Sequence, residues 1–71
     1  MIKTFEHEIE MEFDNGNTCG YINVECNHES MATVAMSVGD VGSEEGSYED
    51  AIVEKKDLIK FLKKTLEMLE K

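Results

Sequence analysis

The alternation of apolar and acidic residues near the start of the chain is its clearest pattern. In FEHEIEMEF, residues 5–13, the odd positions hold aromatic, aliphatic or histidine side chains, and all four even positions hold glutamate. Successive side chains of a β-strand point to opposite faces, so a period of two predicts a strand with one apolar and one acidic face. We predict this strand at about residues 3–13.

The segment DNGN that follows predicts a tight turn. Asn15 and Gly16 both tolerate the positive φ angles of a two-residue type I′ turn, which favours a β-hairpin with a second strand at about residues 18–26. In that register Ile9 faces Ile22, and the apolar side chains of the two strands share one face. Turn chemistry and alternation therefore indicate the same pairing.

Three further segments follow the hairpin. MATVAMSV at residues 31–38 predicts a third strand, and residues 39–47 predict an acidic, glycine-rich loop. Residues 48–53 can form a short fourth strand. From about residue 55 to residue 70 the period changes to that of a helix, with apolar side chains on one half of the helical wheel and lysines on the other.

Burial joins these segments into one fold. The predicted sheet has one apolar face and the helix is the element that can cover it, so Leu62 and Leu66 are expected in the core. We therefore predict a single domain over residues 1–71, a small two-layer α+β fold. Its order is β-β-β-(β)-α, an antiparallel sheet of three to four strands with the C-terminal helix packed on one face.

Charge is the unusual property of the composition. The chain has 16 acidic and 7 basic residues, a net charge of −9. Residues 1–53 hold 12 acids and one lysine, and residues 54–71 hold six lysines and four acids, so the two segments carry −11 and +2. Such a field repels nucleic acid and anionic membranes and attracts basic proteins. We expect no direct nucleic-acid binding and no membrane binding.

The predicted location is the cytoplasm, of the host cell if the protein is phage-encoded. The chain shows no signal-peptide pattern and no apolar run of the ~20 residues needed to cross a bilayer. Cys19 and Cys26 are about 23 Å apart if they lie on one strand, at 3.3 Å per residue, which is too far for a disulfide. Reduced thiols fit a cytoplasmic protein.

The candidate chemical sites in the sequence are weak. The segment DNGNTCGYINVE has the acidic ends of an EF-hand loop, but Gly16 and Cys19 stand where an oxygen ligand and a glycine are required. His7, Cys26 and His28 lack a fourth zinc ligand. No serine lies in a nucleophile motif, and the glycines lack the following lysine of a phosphate loop. We expect no enzymatic activity, no cofactor and no metal site.

The glutamates of the first strand form the candidate binding surface. Residues two apart on a strand repeat every ~6.6 Å, a spacing comparable with successive phosphates of a nucleic-acid strand. A solvated strand face explains such a row in part, because charges protect exposed edges from aggregation. A row of four glutamates without a lysine also suits recognition of a basic surface.

In size, charge and predicted architecture the chain resembles small acidic inhibitors of the phage or mobile-element type, although no motif identifies such a family. The resemblance implies a non-catalytic inhibitor, in one form a nucleic-acid mimic, that covers a basic surface of a host or defence enzyme that processes nucleic acid. The predicted partner-binding residues are Glu6, Glu8, Glu10, Glu12, Glu25, Asp40, Glu44, Glu45, Glu49 and Asp50.

Two alternatives stay open at this point. A nearly uncharged outer strip, formed by Tyr21, Met31, Thr33 and Ala35, can pair two copies into a structural or regulatory homodimer without an inhibitory role. The acidic loop can instead bind a divalent cation weakly, because a flexible group of carboxylates lacks fixed geometry.

Overall fold

A computed structural model of the chain describes residues 1–26, 28–43 and 46–71. The described residues form a five-stranded antiparallel sheet followed by one helix. The strands are β1 (Ile2–Thr4), β2 (Glu8–Asp14), β3 (Thr18–Glu25), β4 (Met31–Asp40) and β5 (Gly46–Glu54), and the helix α1 is Lys55–Leu69. The α+β class is confirmed, but the sheet has five strands where the sequence predicts three or four.

The single strand predicted at residues 3–13 is wrong. β1 and β2 form a hairpin, and Phe5, Glu6 and His7 lie in the turn between them. The backbone N–H of Phe5 donates to the carbonyl oxygen of Glu8 at 2.8 Å, which closes the turn. Alternation of apolar and polar residues runs unbroken through this turn, so the pattern gave no sign of the chain reversal.

The hairpin of β2 and β3 is present, but its register differs from the predicted one by two residues. Ile9 pairs with Val24, whereas a two-residue turn pairs Ile9 with Ile22. Because side chains alternate with a period of two, a shift by two residues leaves every side chain on its predicted face. The predicted faces are therefore right although the predicted partners are wrong.

The longer turn between these strands is stabilised by its own side chains. Asn15 Oδ1 accepts hydrogen bonds from the backbone N–H groups of Asn17 at 3.0 Å and Thr18 at 2.8 Å. Asp14 Oδ1 accepts one from the N–H of Gly16 at 2.9 Å. Gly16 has a φ of 91°, and no described non-glycine residue has a positive φ, which excludes the type I′ turn that needs one at Asn15.

The later elements extend beyond their predicted bounds. β4 and β5 are longer than the strands predicted at residues 31–38 and 48–53, and they take residues from both ends of the loop predicted at 39–47. Glu44 and Glu45, also predicted in that loop, lie outside the described residues. The helix begins directly after β5 and ends one residue before its predicted end.

The strands follow one another across the sheet in chain order, β1-β2-β3-β4-β5. The register sorts their side chains onto two faces. The inner face carries Ile2, Ile9, Met11, Phe13, Ile22, Val24, Ala32, Val34, Met36, Val38, Ala51 and Val53. The outer face carries most of the acidic side chains of β2 and β3.

The helix covers one end of the inner face. Among the described elements it contacts β4 and β5, while the inner side of β1, β2 and β3 stays open. None of the described helix residues is buried, and Leu62 and Leu66 are 47% and 56% exposed. The expectation that these two leucines lie in the core of the single chain is therefore wrong. The buried hydrophobic residues of the described chain are Ala32 and Ala35.

Candidate functional site

The acidic side chains of β2 form a straight row on the outer face of the sheet. Glu8, Glu10, Glu12 and Asp14 alternate with the inner-face residues of the same strand, and their backbone positions repeat every ~6.6 Å along it. Glu25 stands beside Glu8 on the paired strand β3. We call these five residues the acidic row.

The acidic row lies on an interior part of the sheet. β2 pairs with β3 along its whole length and with β1 at Ile9, Glu10 and Met11. Natural sheets place charges on edge strands to prevent aggregation, and the edge strand on this side of the sheet is β1. Edge protection therefore does not account for the glutamates in the middle of β2.

Lys3 of β1 interrupts the negative charge of the row. It pairs with Glu10 in the register, and its Nζ lies 2.5 Å from Oε1 of Glu12. The hydrogen bond from Lys3, and then its charge, hold the pKa of Glu12 below the ordinary value of 4.5. The same hydrogen bond and charge raise the pKa of Lys3. One carboxylate of the row is thus partly neutralised within the chain.

Glu8 is fixed by a hydrogen bond from the neighbouring strand. Asn23, which is 8% exposed, donates from Nδ2 to Oε2 of Glu8 at 2.9 Å. A buried amide without a partner is costly, so this bond also serves the fold. The side chains of Glu10 and Glu25 make no hydrogen bond within the described residues, and they are the carboxylates of the row that remain open to a partner.

The other predicted partner-binding residues are not part of the row. Glu6 lies in the turn between β1 and β2. Asp40 and Glu49 lie on the inner side of β4 and β5 by their register. Glu44 and Glu45 lie outside the described residues. The structure therefore brings together Glu8, Glu10, Glu12 and Glu25 of the predicted set and adds Asp14.

Asp50 lies on the outer face but belongs to a separate group. β5 is three strands away from β2, about 14 Å at a strand spacing of ~4.8 Å, which exceeds the ~8 Å Debye length at physiological salt. The hydroxyl of Tyr48 donates to Oδ2 of Asp50 at 3.2 Å. This hydrogen bond, and then the charge of Asp50, raise the pKa of Tyr48.

The predicted dimer strip lies on the outer face, between the acidic row and β5. Tyr21, Met31 and Thr33 are half-buried, and Ala35 is 7% exposed. Ala35 therefore offers little surface for contact with another molecule. A homodimer through this strip stays a prediction.

Metal ligands do not converge in the described part of the chain. Among the described residues no group of three or more His, Cys, Asp or Glu side chains is placed to hold a metal ion. Cys19 and Cys26 are free thiols, the first half-buried and the second exposed.

Lys3 and Asn23 are the residues of this surface that the sequence analysis missed. The partners of Lys3 follow from the short turn at Phe5–His7, because folding the chain back there sets Lys3 against Glu10. An Asn in the middle of an apolar-alternating strand was the available sign of a buried side-chain hydrogen bond.

Comparison of the chain with protein-family models, with curated proteins and with solved structures found no match. Within the described residues no helix has the length and apolar character to cross a membrane. Support for a function comes from the acidic row and its surroundings.

Proposed function

We propose that this protein is a non-catalytic binding protein whose acidic row covers a basic surface of a nucleic-acid-processing enzyme. It acts as an inhibitor of the phage or mobile-element type by occupying the lysines and arginines that hold the substrate. The observation that carries the proposal is the row itself: five carboxylates on one face of two paired strands, on a segment with a net charge of −11.

The row suits this role because part of it is preorganised. The Asn23 amide holds Glu8, and Lys3 holds Glu12, so these side chains lose little freedom when a partner binds. The regular repeat of ~6.6 Å along β2 matches a partner whose cationic groups are spaced to bind successive phosphates. Glu10 and Glu25, between and beside the fixed carboxylates, supply carboxylates whose side chains make no hydrogen bond within the described residues.

The charge of the whole sheet supports fast and selective encounter. Complementary charge raises the association rate and excludes acidic competitors more than it raises affinity. Exposed charges are screened over ~8 Å at physiological ionic strength, so binding weakens as salt is added. A nucleic acid competes with the protein for the same basic surface.

The test uses a pair of variants matched in charge. Glu10→Gln with Glu25→Gln removes two open carboxylates and leaves the bonds to Asn23 and Lys3 intact. Glu67→Gln with Glu70→Gln removes the same charge from the last turn of α1 and the residue that follows it. Each variant is assayed for inhibition against a panel of purified nucleic-acid-processing enzymes, with a salt series and with added duplex DNA as competitor.

We expect inhibition of a basic enzyme that added duplex and added salt both relieve. Exposed ion pairs contribute about 0.2–1 kcal/mol each, so the row variant should bind roughly 2- to 30-fold more weakly, while the helix variant matches the wild type. Equal inhibition by the row variant and the wild type would show that the row is a solvated strand face with no role in binding.

A further inference from the structure

Within the described residues the single chain buries very few apolar side chains. Among the described residues the buried hydrophobic side chains are those of Ala32, 2% exposed, and Ala35, 7% exposed, and no large side chain is fully buried. Yet 41% of the residues are hydrophobic. A chain of this size needs most of its apolar side chains out of water to fold, because its core is small at best.

The apolar side chains that would form a core are exposed on one side of the molecule. A groove of about 430 Å³ runs between α1 and the inner face, lined by Val34, Met36, Val53, Leu58 and Phe61 among others. Beyond this groove the inner side of β1, β2 and β3 has no cover from any described element. The open apolar surface of the sheet is therefore continuous with that of the helix.

The apolar arc of α1 is wider than its contact with the sheet. Leu58 and Thr65 are half-buried, so one of the best-covered positions of the helix is polar. Ile59, Leu62 and Leu66 remain 52%, 47% and 56% exposed. Much of this arc therefore has no apolar partner among the described residues of the chain.

The exposed area is that of a stable protein interface. Ten large side chains of the inner face and helix are at least a third exposed: Ile2, Ile9, Met11, Ile22, Met36, Ile59, Phe61, Leu62, Leu66 and Leu69. At roughly 100 Å² each they present about 1,000 Å², against the ~800 Å² per partner of a standard interface.

We propose that a second copy of this chain covers this surface, so that the protein is a two-fold symmetric dimer held together by inner faces and helices. The acidic row lies on the outer face, away from this interface, so the charges that meet there are the lysines of α1 and the few acids of the inner side. Lys63 lies one helical turn after Ile59, beside the apolar arc, and Asp40 and Glu49 lie on the inner side of the sheet. Each copy thus offers a helix with lysines beside its apolar arc and an apolar sheet face that carries two acids.

Other occupants fit less well. A basic helix with an apolar arc can lie on an anionic membrane surface, but the sheet beside it carries strong negative charge and is repelled. An unrelated partner would have to be present whenever the chain folds, whereas a second copy always is. Obligate homodimers often have no stable folded monomer.

The test introduces a charge at each of two exposed apolar residues, one on the apolar arc of α1 and one on the outer face of the sheet. Leu66→Asp places a charge in the proposed interface, and Ile52→Asp places one on the outer face of β5, where Ile52 is 70% exposed. Mass in solution is measured by sedimentation equilibrium and compared with the chain mass of 8.1 kDa. The melting temperature of the wild type is measured over a hundredfold range of concentration.

We expect the wild type at twice the chain mass, with a melting temperature that rises with concentration. Leu66→Asp should lose the dimer, either as an 8.1 kDa species or by unfolding, and Ile52→Asp should keep it. Glu10→Gln with Glu25→Gln should also keep it, which separates the dimer from the proposed inhibition.

Three results would overturn the dimer. The first is a folded wild type at 8.1 kDa whose melting temperature does not depend on concentration. The second is a dimer that survives Leu66→Asp, which would move the interface to the outer strip. The third is a monomer that binds vesicles of phosphatidylcholine and phosphatidylserine through α1.

Discussion

The ion pair between Lys3 and Glu12 gives one carboxylate of the acidic row a pH-dependent role in stability. Its hydrogen bond lowers the pKa of Glu12 in the folded chain below the ordinary value of 4.5. The contribution to stability is therefore fully present above the ordinary carboxyl pKa and is lost as the pH falls through the lowered value. Above neutral pH it does not change until Lys3 itself titrates.

Replacing Lys3 tests this linkage. In Lys3→Gln we expect the pKa of Glu12 to rise toward its ordinary value, because the substitution removes the charge of Lys3 and its hydrogen bond to Glu12. An NMR titration of the Glu12 carboxyl carbon measures it. Lys56→Gln is the control, since it removes the pair with Glu54 at 3.3 Å and leaves Lys3 in place. An unchanged Glu12 titration in Lys3→Gln would show that the pair is absent in solution.

At this scale the sequence predicted where side chains point but not what they touch. Glu8, Glu10 and Glu12 lie on one face because alternation alone determines it. Their contacts with Lys3 and Asn23 follow from the registers of the β1–β2 and β2–β3 pairs. Each register is determined by the length of the turn that joins the two strands. The open carboxylates of the row could therefore be identified only after both turns were known.

At the scale of elements, Gly20 lies where β3 has no room for a side chain beside β4. A Cβ atom at Gly20 would lie 1.8 Å from the carbonyl oxygen of Ser37 and 3.1 Å from the ring of Phe13. The first contact is with backbone, which cannot rotate away, so the strands would have to separate. Gly16 differs: nothing lies within 4 Å of a Cβ there, and its constraint is a φ of +91°.

The same substitution at these two glycines should lower the stability of the fold by different amounts, for different reasons. Gly16→Ala should cost about 1–2 kcal/mol, the typical penalty for a left-handed backbone. Gly20→Ala should cost more, at or above the ~1–3 kcal/mol of an overpacked core, because paired strands must move. Urea unfolding followed by circular dichroism measures both. A smaller loss for Gly20→Ala than for Gly16→Ala would contradict the close approach of β3 and β4.

Element boundaries show where sequence patterns stop being informative. The helix was predicted almost to the residue because the period changes from two to 3.6 at Lys55. The turn at Phe5, Glu6 and His7 was missed because it preserves the alternation on both sides. The second turn was recognised, but the hydrogen bonds of Asn15 widened it beyond the two-residue form.

At the scale of the whole molecule, repulsion among like charges opposes folding. The chain carries 16 acids against 7 bases and measures 38 × 31 × 19 Å. At ~0.01 M salt the Debye length of ~30 Å spans the molecule, and at ~0.1 M it falls to ~10 Å. Screening therefore removes most of the long-range repulsion.

We expect the melting temperature to rise between these two salt concentrations. A gain of ~0.5–1 kcal/mol corresponds to roughly 2–8 °C for a chain of this length. The variant Glu10→Gln with Glu25→Gln should gain less, because two of the repelling charges are gone. Differential scanning calorimetry measures the shift, and a melting temperature that falls with salt would mean that attraction between sheet and helix dominates.

The sequence pattern did not predict which surface covers the apolar faces of the sheet and the helix. Periodicity showed an apolar face on the sheet and an apolar arc on the helix, and a two-layer fold joins them. The structure shows that the helix contacts two strands of the sheet and leaves three open. Hydrophobic periodicity indicates that a surface must be buried. Which surface packs against it depends on the three-dimensional arrangement of all the elements.

The order of the strands also has a consequence for the timing of folding. Each strand pairs with its neighbour in the chain, so every ladder can close as soon as its second strand has been synthesised. Contacts this local favour rapid folding. The helix comes last, and with it five of the seven basic residues of the chain. In the order of synthesis the acidic sheet therefore precedes the helix that covers part of its apolar face.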